Sequence, residues 1–164
     1  MVSKRLSREA GHRRKFLAVV DDTPECERAV AYASRRALTT GGALVLLFVI
    51  EPSDFQQWMG VEKIMREEAN ATASAALDQS AAKVREKSGI EPELVIREGE
   101  ASEEIRKLIE EDQDIAILIL AAGSSKEGPG PLVSSISGKG TIGFQIPVTV
   151  VPANLTDEDI EALA

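Results

Sequence analysis

Few residues in this chain have the type and spacing to do chemistry. Two adjacent carboxylates, Asp21 and Asp22, directly follow a short apolar run, Phe16 to Val20. Acids placed just past a buried strand can hold a divalent cation, or accept hydrogen bonds from the hydroxyls and amines of a ligand. Cys26 follows closely, in what reads as the first turn of a helix, where the helix dipole favours a thiolate. Its position on the apolar side of that helix instead reads as a packed, inert thiol. Being the only cysteine, it cannot form an internal disulfide, and no Cys/His cluster exists to bind zinc. His12 is the only histidine and lies in a basic terminal stretch. That excludes His-based triads and two-His metal sites.

Two patterns look catalytic or nucleotide-binding and fail on context. Gly138-Lys139-Gly140-Thr141-Ile142-Gly143 spells the dinucleotide fingerprint. That fingerprint works only between a strand and a helix, with an acid on the next strand to hold a ribose. Here a serine-rich stretch precedes it and Pro147 to Val151, which carries no acid, follows. It also fails as a Walker loop, because Gly140 stands after Lys139 where Ser or Thr should hold magnesium. The acidic pair suggests a phosphoryl-accepting receiver. Such a domain also needs an aspartate ending its third strand and a lysine ending its fifth. Here the third ends Ile96-Arg97-Glu98 and the fifth, Ile146 to Val151, has no lysine.

The elements that must position these residues alternate. Strands are expected at Phe16 to Val20, Ala43 to Ile50, Glu93 to Arg97, Ile115 to Ala121 and Pro147 to Val151, mostly as continuous apolar runs of the kind covered on both faces. Thr23 as N-cap and Pro24 at the first helical position start a helix that ends at Thr39 to Gly42. A loop over 51–60 carries Phe55 and Trp58, a lid or an aromatic plug. A long helix from about Val61 to Lys87 follows, its buried stripe Val61, Met65, Ala69, Ala73, Ala76 and Val84, stopped at Gly89. Ser102 is placed as cap of a charged helix bearing Ile105, Leu108 and Ile109. Alternation of this kind predicts an α/β fold: an open five-stranded parallel sheet, doubly wound, with helices on both faces. Ligands of such sheets bind beyond the carboxyl ends of the strands where the strand order reverses. That rule singles out Asp21, Val49 and the loop after Ala121.

The 164 residues suit one domain, with 43% apolar and 28% charged side chains. Residues 1–14 form a basic arm, expected to be mobile and dispensable for folding. Residues 15–153 are the domain, and 154–164 an acidic tail able to form a short helix capped by Thr156. Nineteen basic against twenty-seven acidic side chains give a net charge of -8, which argues against a nucleic-acid partner. No apolar run reaches membrane-spanning length and no signal peptide is visible, so a cytoplasmic protein with no membrane partner is expected.

From Lys15 to Val151 the chain resembles the universal stress protein family. Lys15-Phe-Leu-Ala-Val-Val-Asp-Asp-Thr23 is similar to its opening strand, which ends Val-Asp-Gly-Ser, and Glu27-Arg28-Ala29 to the helix that follows. Leu46-Leu-Phe-Val-Ile50 resembles its second strand. Arg97-Glu-Gly-Glu100 with Glu104-Ile105 resembles its Gly-Asp/Glu-x-x-x-x-Ile passage, and Ile146-Pro-Val-Thr-Val-Val151 its final strand. The resemblance implies a stress-response protein that binds ATP or a related adenine nucleotide, with or without magnesium. At most it would hydrolyse ATP slowly, since no nucleophile–base pair can be assembled here. It also implies a homodimer through Pro147 to Val151.

ATP-binding members carry a G-x2-G-x9-G-S/T loop after the fourth strand, whose amides cradle phosphates. Anchored on the flanking strands, it falls on Ala121, Ser124, Ser134 and Ser135. The spacing survives, but all three glycines are replaced; a register starting at Gly123 fits the strands less well. Lys126 would supply charge opposite a phosphate, and Asp21 and Val49 would touch ribose and base. The alternative is a dimeric interaction protein of the same family that binds no nucleotide.

Overall fold

The computed structural model describes residues 2–52, 61–123, 132–134 and 143–164. Elements run in the order β1 (Lys15–Val19), α1 (Cys26–Thr40), β2 (Ala43–Ile50), α2 (Glu62–Ser88), β3 (Glu93–Glu98), α3 (Ala101–Glu111), β4 (Ile115–Ala121), β5 (Val148–Val151) and α4 (Asp157–Leu163). All strand pairings are parallel, in the order β3-β2-β1-β4-β5. The expected doubly wound sheet is therefore present, with β1 and β4 side by side at its centre.

Alternation along the strands divides the core in two. Phe16, Ala18, Val20, Leu44 and Leu46 pack against Ala29, Ala33 and Ala37 of α1 and Leu77 and Val84 of α2. Leu17, Val19, Val45, Leu47 and Leu118 face Ile105, Leu108 and Ile109 of α3. Two connections toward β3 lay α1 and α2 on one face. The reversed connection from β3 to β4 puts α3 on the other, as right-handed crossovers require.

The expected stripe of α2 needs correction. Its buried residues are Ala73, Leu77, Ala81 and Val84, whereas Val61 is 39% exposed. A helix of 27 residues extends for about 40 Å. β2, at eight residues, spans about 26 Å. Val61, just ahead of the helix, therefore stands past the sheet, while Met65 and Ala69 are half-buried on a small cluster at the ends of β2 and β3, with Phe48, Ile50 and Ile96. Gly41 and Gly89 end α1 and α2 at φ 69° and 71°, a left-handed conformation that glycine adopts without steric cost.

The cap of α3 is Glu100, not Ser102: its carboxylate accepts from the amides of Ser102 and Glu103, at 3.2 and 3.0 Å. A longer acidic side chain one residue before the helix reaches the same orphan amides and adds charge at the positive end of the dipole. Thr156 caps α4 as expected, in a reciprocal capping box with Asp159.

The basic arm, expected to be mobile, has defined contacts in the structure. Arg5 Nη1 donates to the carbonyls of Ile109, Asp112 and Ile115, the Leu6 amide to Gln113, and Val2 packs on the α3-side core. These contacts close the orphan C-terminal carbonyls of α3. The acidic tail instead folds onto α1 and α2, so the oppositely charged ends do not meet: Asp157 pairs with Arg28 and Lys87, and Ile160 is buried.

Candidate functional site

β1 delivers its chain to the carboxyl edge of the sheet through Val20, whose amide donates to Leu47 O. Asp21 comes next and is exposed. Its Oδ1 accepts from the amide of Thr23 at 2.8 Å and from the Thr23 hydroxyl, an Asx-type turn. Thr23 therefore does not cap α1 and Pro24 is not its first residue. The Asp21 turn holds Thr23 two residues ahead of the Glu25 position that precedes the helix, with its hydroxyl donating to Asp21. α1 begins at Cys26, preceded by Glu25, which makes no side-chain cap. Asp21 Oδ2 receives no hydrogen bond among the described residues.

Cys26 is buried, and its Sγ donates to the Asp21 carbonyl at 3.4 Å. Burial pushes its thiol pKa up, more than that backbone contact lowers it, and the charge of Asp21 adds to the rise. The packed, un-ionised thiol expected from the sequence is what the geometry gives.

Val49 is next to last in β2, pairs with Arg97 of β3, and packs with the α3-side cluster. Ala121 ends β4, packs on the α1-side cluster, and lies opposite Val151. Val19 pairs with Leu47 and Ala18 with Ile119. Carried two residues further, these registers set Asp21 beside Val49 and Val20 beside Ala121. Three neighbouring strands thus bring Asp21, Val49 and Ala121 to one edge, Val49 and Ala121 about 10 Å apart across β1. Ser134 is exposed, in the helical stretch 132–134, whose Leu132 and Val133 pack into the cluster that also holds Val49. Ser124, Lys126 and Ser135 lie outside the described residues, as do Phe55, Trp58 and Gly138 to Ile142 of the fingerprint-like run.

Among the described residues no group of three or more His, Cys, Asp or Glu is arranged to hold a metal ion, and no helix is long and apolar enough to cross a membrane. A cavity of about 590 Å³ begins at Asp21 and Asp22. It then runs between α1, α2 and α4, and neither Val49 nor Ala121 lines it.

Two sets of contacts escaped sequence reasoning. Arg28 and Lys87 converge on Asp157 from α1 and α2, and Lys15 joins Asp112 at 2.7 Å and Glu93 at 3.4 Å. Burial works to lower the Lys15 pKa, but the hydrogen bond and charge of Asp112, with Glu93 behind them, raise it. Neither set has a sequence signal beyond complementary charge, because each joins distant segments.

A doubly wound parallel sheet with an acid at the switch between its two central strands defines the class. The sequence profile of the universal stress protein family matches residues 12–152, and the chain belongs to that family. Solved structures agree on the fold. Universal stress protein UspA from Lactobacillus plantarum is 18% identical with a TM-score of 0.69, covering 84% of this chain and 97% of its own. The universal stress protein from Archaeoglobus fulgidus in complex with dAMP is 18% identical with a TM-score of 0.52, covering 84% and 97%. A universal stress protein family protein from Arabidopsis thaliana with AMP bound is 17% identical with a TM-score of 0.53, covering 88% and 94%. No curated protein matches the chain.

Proposed function

We propose that this protein binds an adenine nucleotide, ATP or a close relative with or without magnesium, at the carboxyl edge where β1 and β4 diverge, and that it acts in stress response as a binding module rather than as an enzyme. The observation that carries this reading is the strand order, which places the switch point between β1 and β4 and leaves Asp21 exposed there with a carboxylate oxygen that no described residue hydrogen-bonds. The AMP and dAMP bound by the Arabidopsis and Archaeoglobus proteins support it. Asp21 Oδ2 would accept from ribose hydroxyls or the adenine amine, and Val49 would give the base an apolar contact. Ser124, Ser134, Ser135 and Lys126, in the loop after Ala121, would meet the phosphates.

The same fold supports a homodimer. β5 pairs with β4 alone among the described strands, and Val150 on that edge is 38% exposed. An apolar edge strand without a guarding lysine is suited to pairing with its twofold mate. If the altered loop binds no nucleotide, the protein is an interaction module built on that edge. Thermal melts with AMP and with ATP and magnesium separate these readings, since a ligand of the native state alone raises apparent stability.

A further inference from the structure

The cavity between α1, α2 and α4 is a second place where a ligand fits, independent of the nucleotide reading. Its volume, about 590 Å³, lies within the range of small-molecule sites. Val30, Ala31, Ala76, Val84 and Ile160 give it apolar walls, and Asp21 and Asp22 stand at one end. Most of its polar groups are already matched. Lys83 pairs with Glu27 at 3.2 Å and Lys87 with Asp157 at 3.3 Å. Ser34 donates to Ser88, and Ser88 to Val84 O, both at 2.8 Å.

Arg35 is different. Its Nε is shut off from water with no hydrogen-bond partner among the described residues. Its guanidinium forms no ion pair among the described residues, although Glu161 lines the same cavity. A ligand cannot reach the enclosed Nε, but Arg35 lines the cavity and its Nη groups, four further donors, have no hydrogen-bond partner among the described residues. The guanidinium fork suits a carboxylate, which it can bind through paired hydrogen bonds. Nine residues of α1, about 14 Å of helix, separate Cys26 from Arg35. That exceeds the roughly 8 Å screening length of physiological salt, so Asp21 and Asp22 repel an anion at Arg35 only weakly. Of the other lining acids, Glu27 is paired with Lys83 and Asp157 with Arg28 and Lys87, which leaves Glu161 as the opposing charge.

We propose that this trough binds a monocarboxylate with an apolar body, its carboxylate on Arg35 and its body along Ala31, Ala76, Val84 and Ile160. Octanoate is the probe and octanol its neutral control. Methyl spectra of the full chain should shift at Ala31, Ala76, Val84 and Ile160 as octanoate is added. Arg35→Gln should weaken binding by about tenfold, and octanol should bind more weakly by a similar factor. Ala31→Trp, which fills the trough and leaves Arg35 in place, should abolish the shifts. It serves as the test even where Arg35→Gln does not fold. Saturating AMP should leave the octanoate titration unchanged, and a protein that ignores AMP yet binds octanoate loses only the nucleotide reading. The trough proposal is overturned if octanoate produces no shift up to about 10 mM, if shifts centre on Val49 and Ala121, or if Ala31→Trp binds as the native chain does. It is equally overturned if Arg35→Gln loses less than about threefold in affinity.

Discussion

Arg5 Nη1 lies 2.6 Å from the carbonyl oxygen of Ile109 and also reaches those of Asp112 and Ile115. One cation thus closes the C-terminal end of α3 and the start of β4, where the helix dipole is negative.

Arg5→Ala should therefore destabilise the protein by about 1.5 kcal/mol, the scale of hydrogen bonds made by a charged group. Arg5→Lys should recover part of this, because an ammonium cannot match the guanidinium's several donors. Denaturant unfolding of the three proteins measures it. An Arg5→Ala midpoint equal to that of the native chain would restore the reading of the arm as dispensable.

Leu77 tests where α2 meets the sheet. It is 1% exposed, while Ile64, 13 residues earlier and on the opposite face of the helix, is 53% exposed. Leu77→Ala should cost about 2–4 kcal/mol through a cavity in the α1-side core. Ile64→Ala should stay within about 0.5 kcal/mol. Equal losses at the two positions would contradict the placement of Leu77 on the sheet-facing side of α2 and Ile64 on the solvent side.

Much of this was legible from residue types alone. Continuous apolar runs marked the strands because a doubly covered sheet tolerates little else, and Gly89 marked the end of α2 because the chain needs a positive φ there. The edge position of Asp21 followed from the first of these runs, and the family from the resemblance of the residues around them, such as Asp21-Asp22-Thr23 and Arg97-Glu-Gly-Glu100. Less legible was anything decided by competition between neighbours. Thr23 looked like a cap until Asp21 engaged its hydroxyl, and Glu100 outreached Ser102. The stripe of α2 was misplaced because periodicity fixes a helical face but not how far the sheet extends beneath it. Arg5 and Asp157 were silent, since contacts spanning over a hundred residues leave no local pattern.

Asp157 carries a pH prediction. The hydrogen bond from Arg28, and then that from Lys87, hold its carboxyl below the usual aspartate range. A depressed folded pKa contributes stability above the unfolded value, about 3.9, and that contribution is lost as pH falls through the folded value. The native protein should melt above Asp157→Asn at neutral pH, and the gap should narrow as pH falls below the ordinary aspartate range. A gap independent of pH would place the effect in packing instead of charge.

Cys26 should resist alkylation by iodoacetamide at neutral pH and react at an ordinary rate once the chain is unfolded. The raised pKa has a second consequence. The thiol's contribution to stability is complete below its unfolded value, about 8.5, and declines as pH rises through the folded one, because the unfolded thiol ionises first. Cys26→Ser should lack that alkaline component. Rapid labelling of the native protein would show that the turn at Asp21 opens readily.

The last prediction concerns the nucleotide edge itself. Oδ1 of Asp21 is committed to Thr23, so the carboxylate is already oriented before a ligand arrives and Oδ2 is presented at no further conformational cost. Asp21→Ala removes both the acceptor and the turn; Asp21→Asn keeps the Oδ1 acceptor and replaces Oδ2 with an amide donor. If Oδ2 accepts from ribose or adenine, both variants should lose AMP affinity by about tenfold or more. If Asp21 serves only the turn, Asp21→Asn should bind AMP as the native chain does. At the phosphate end, Ser124→Gly combined with Ser134→Gly should tighten ATP binding, because backbone without Cβ atoms can approach phosphates closely. AMP, with its single phosphate, should gain less. Titration calorimetry with AMP and with ATP and magnesium across the native chain, both Asp21 variants and the double glycine variant reads every arm. No heat from either nucleotide in the native chain and the glycine variant alike would end the nucleotide reading and leave the exposed β5 edge as the working surface of the molecule.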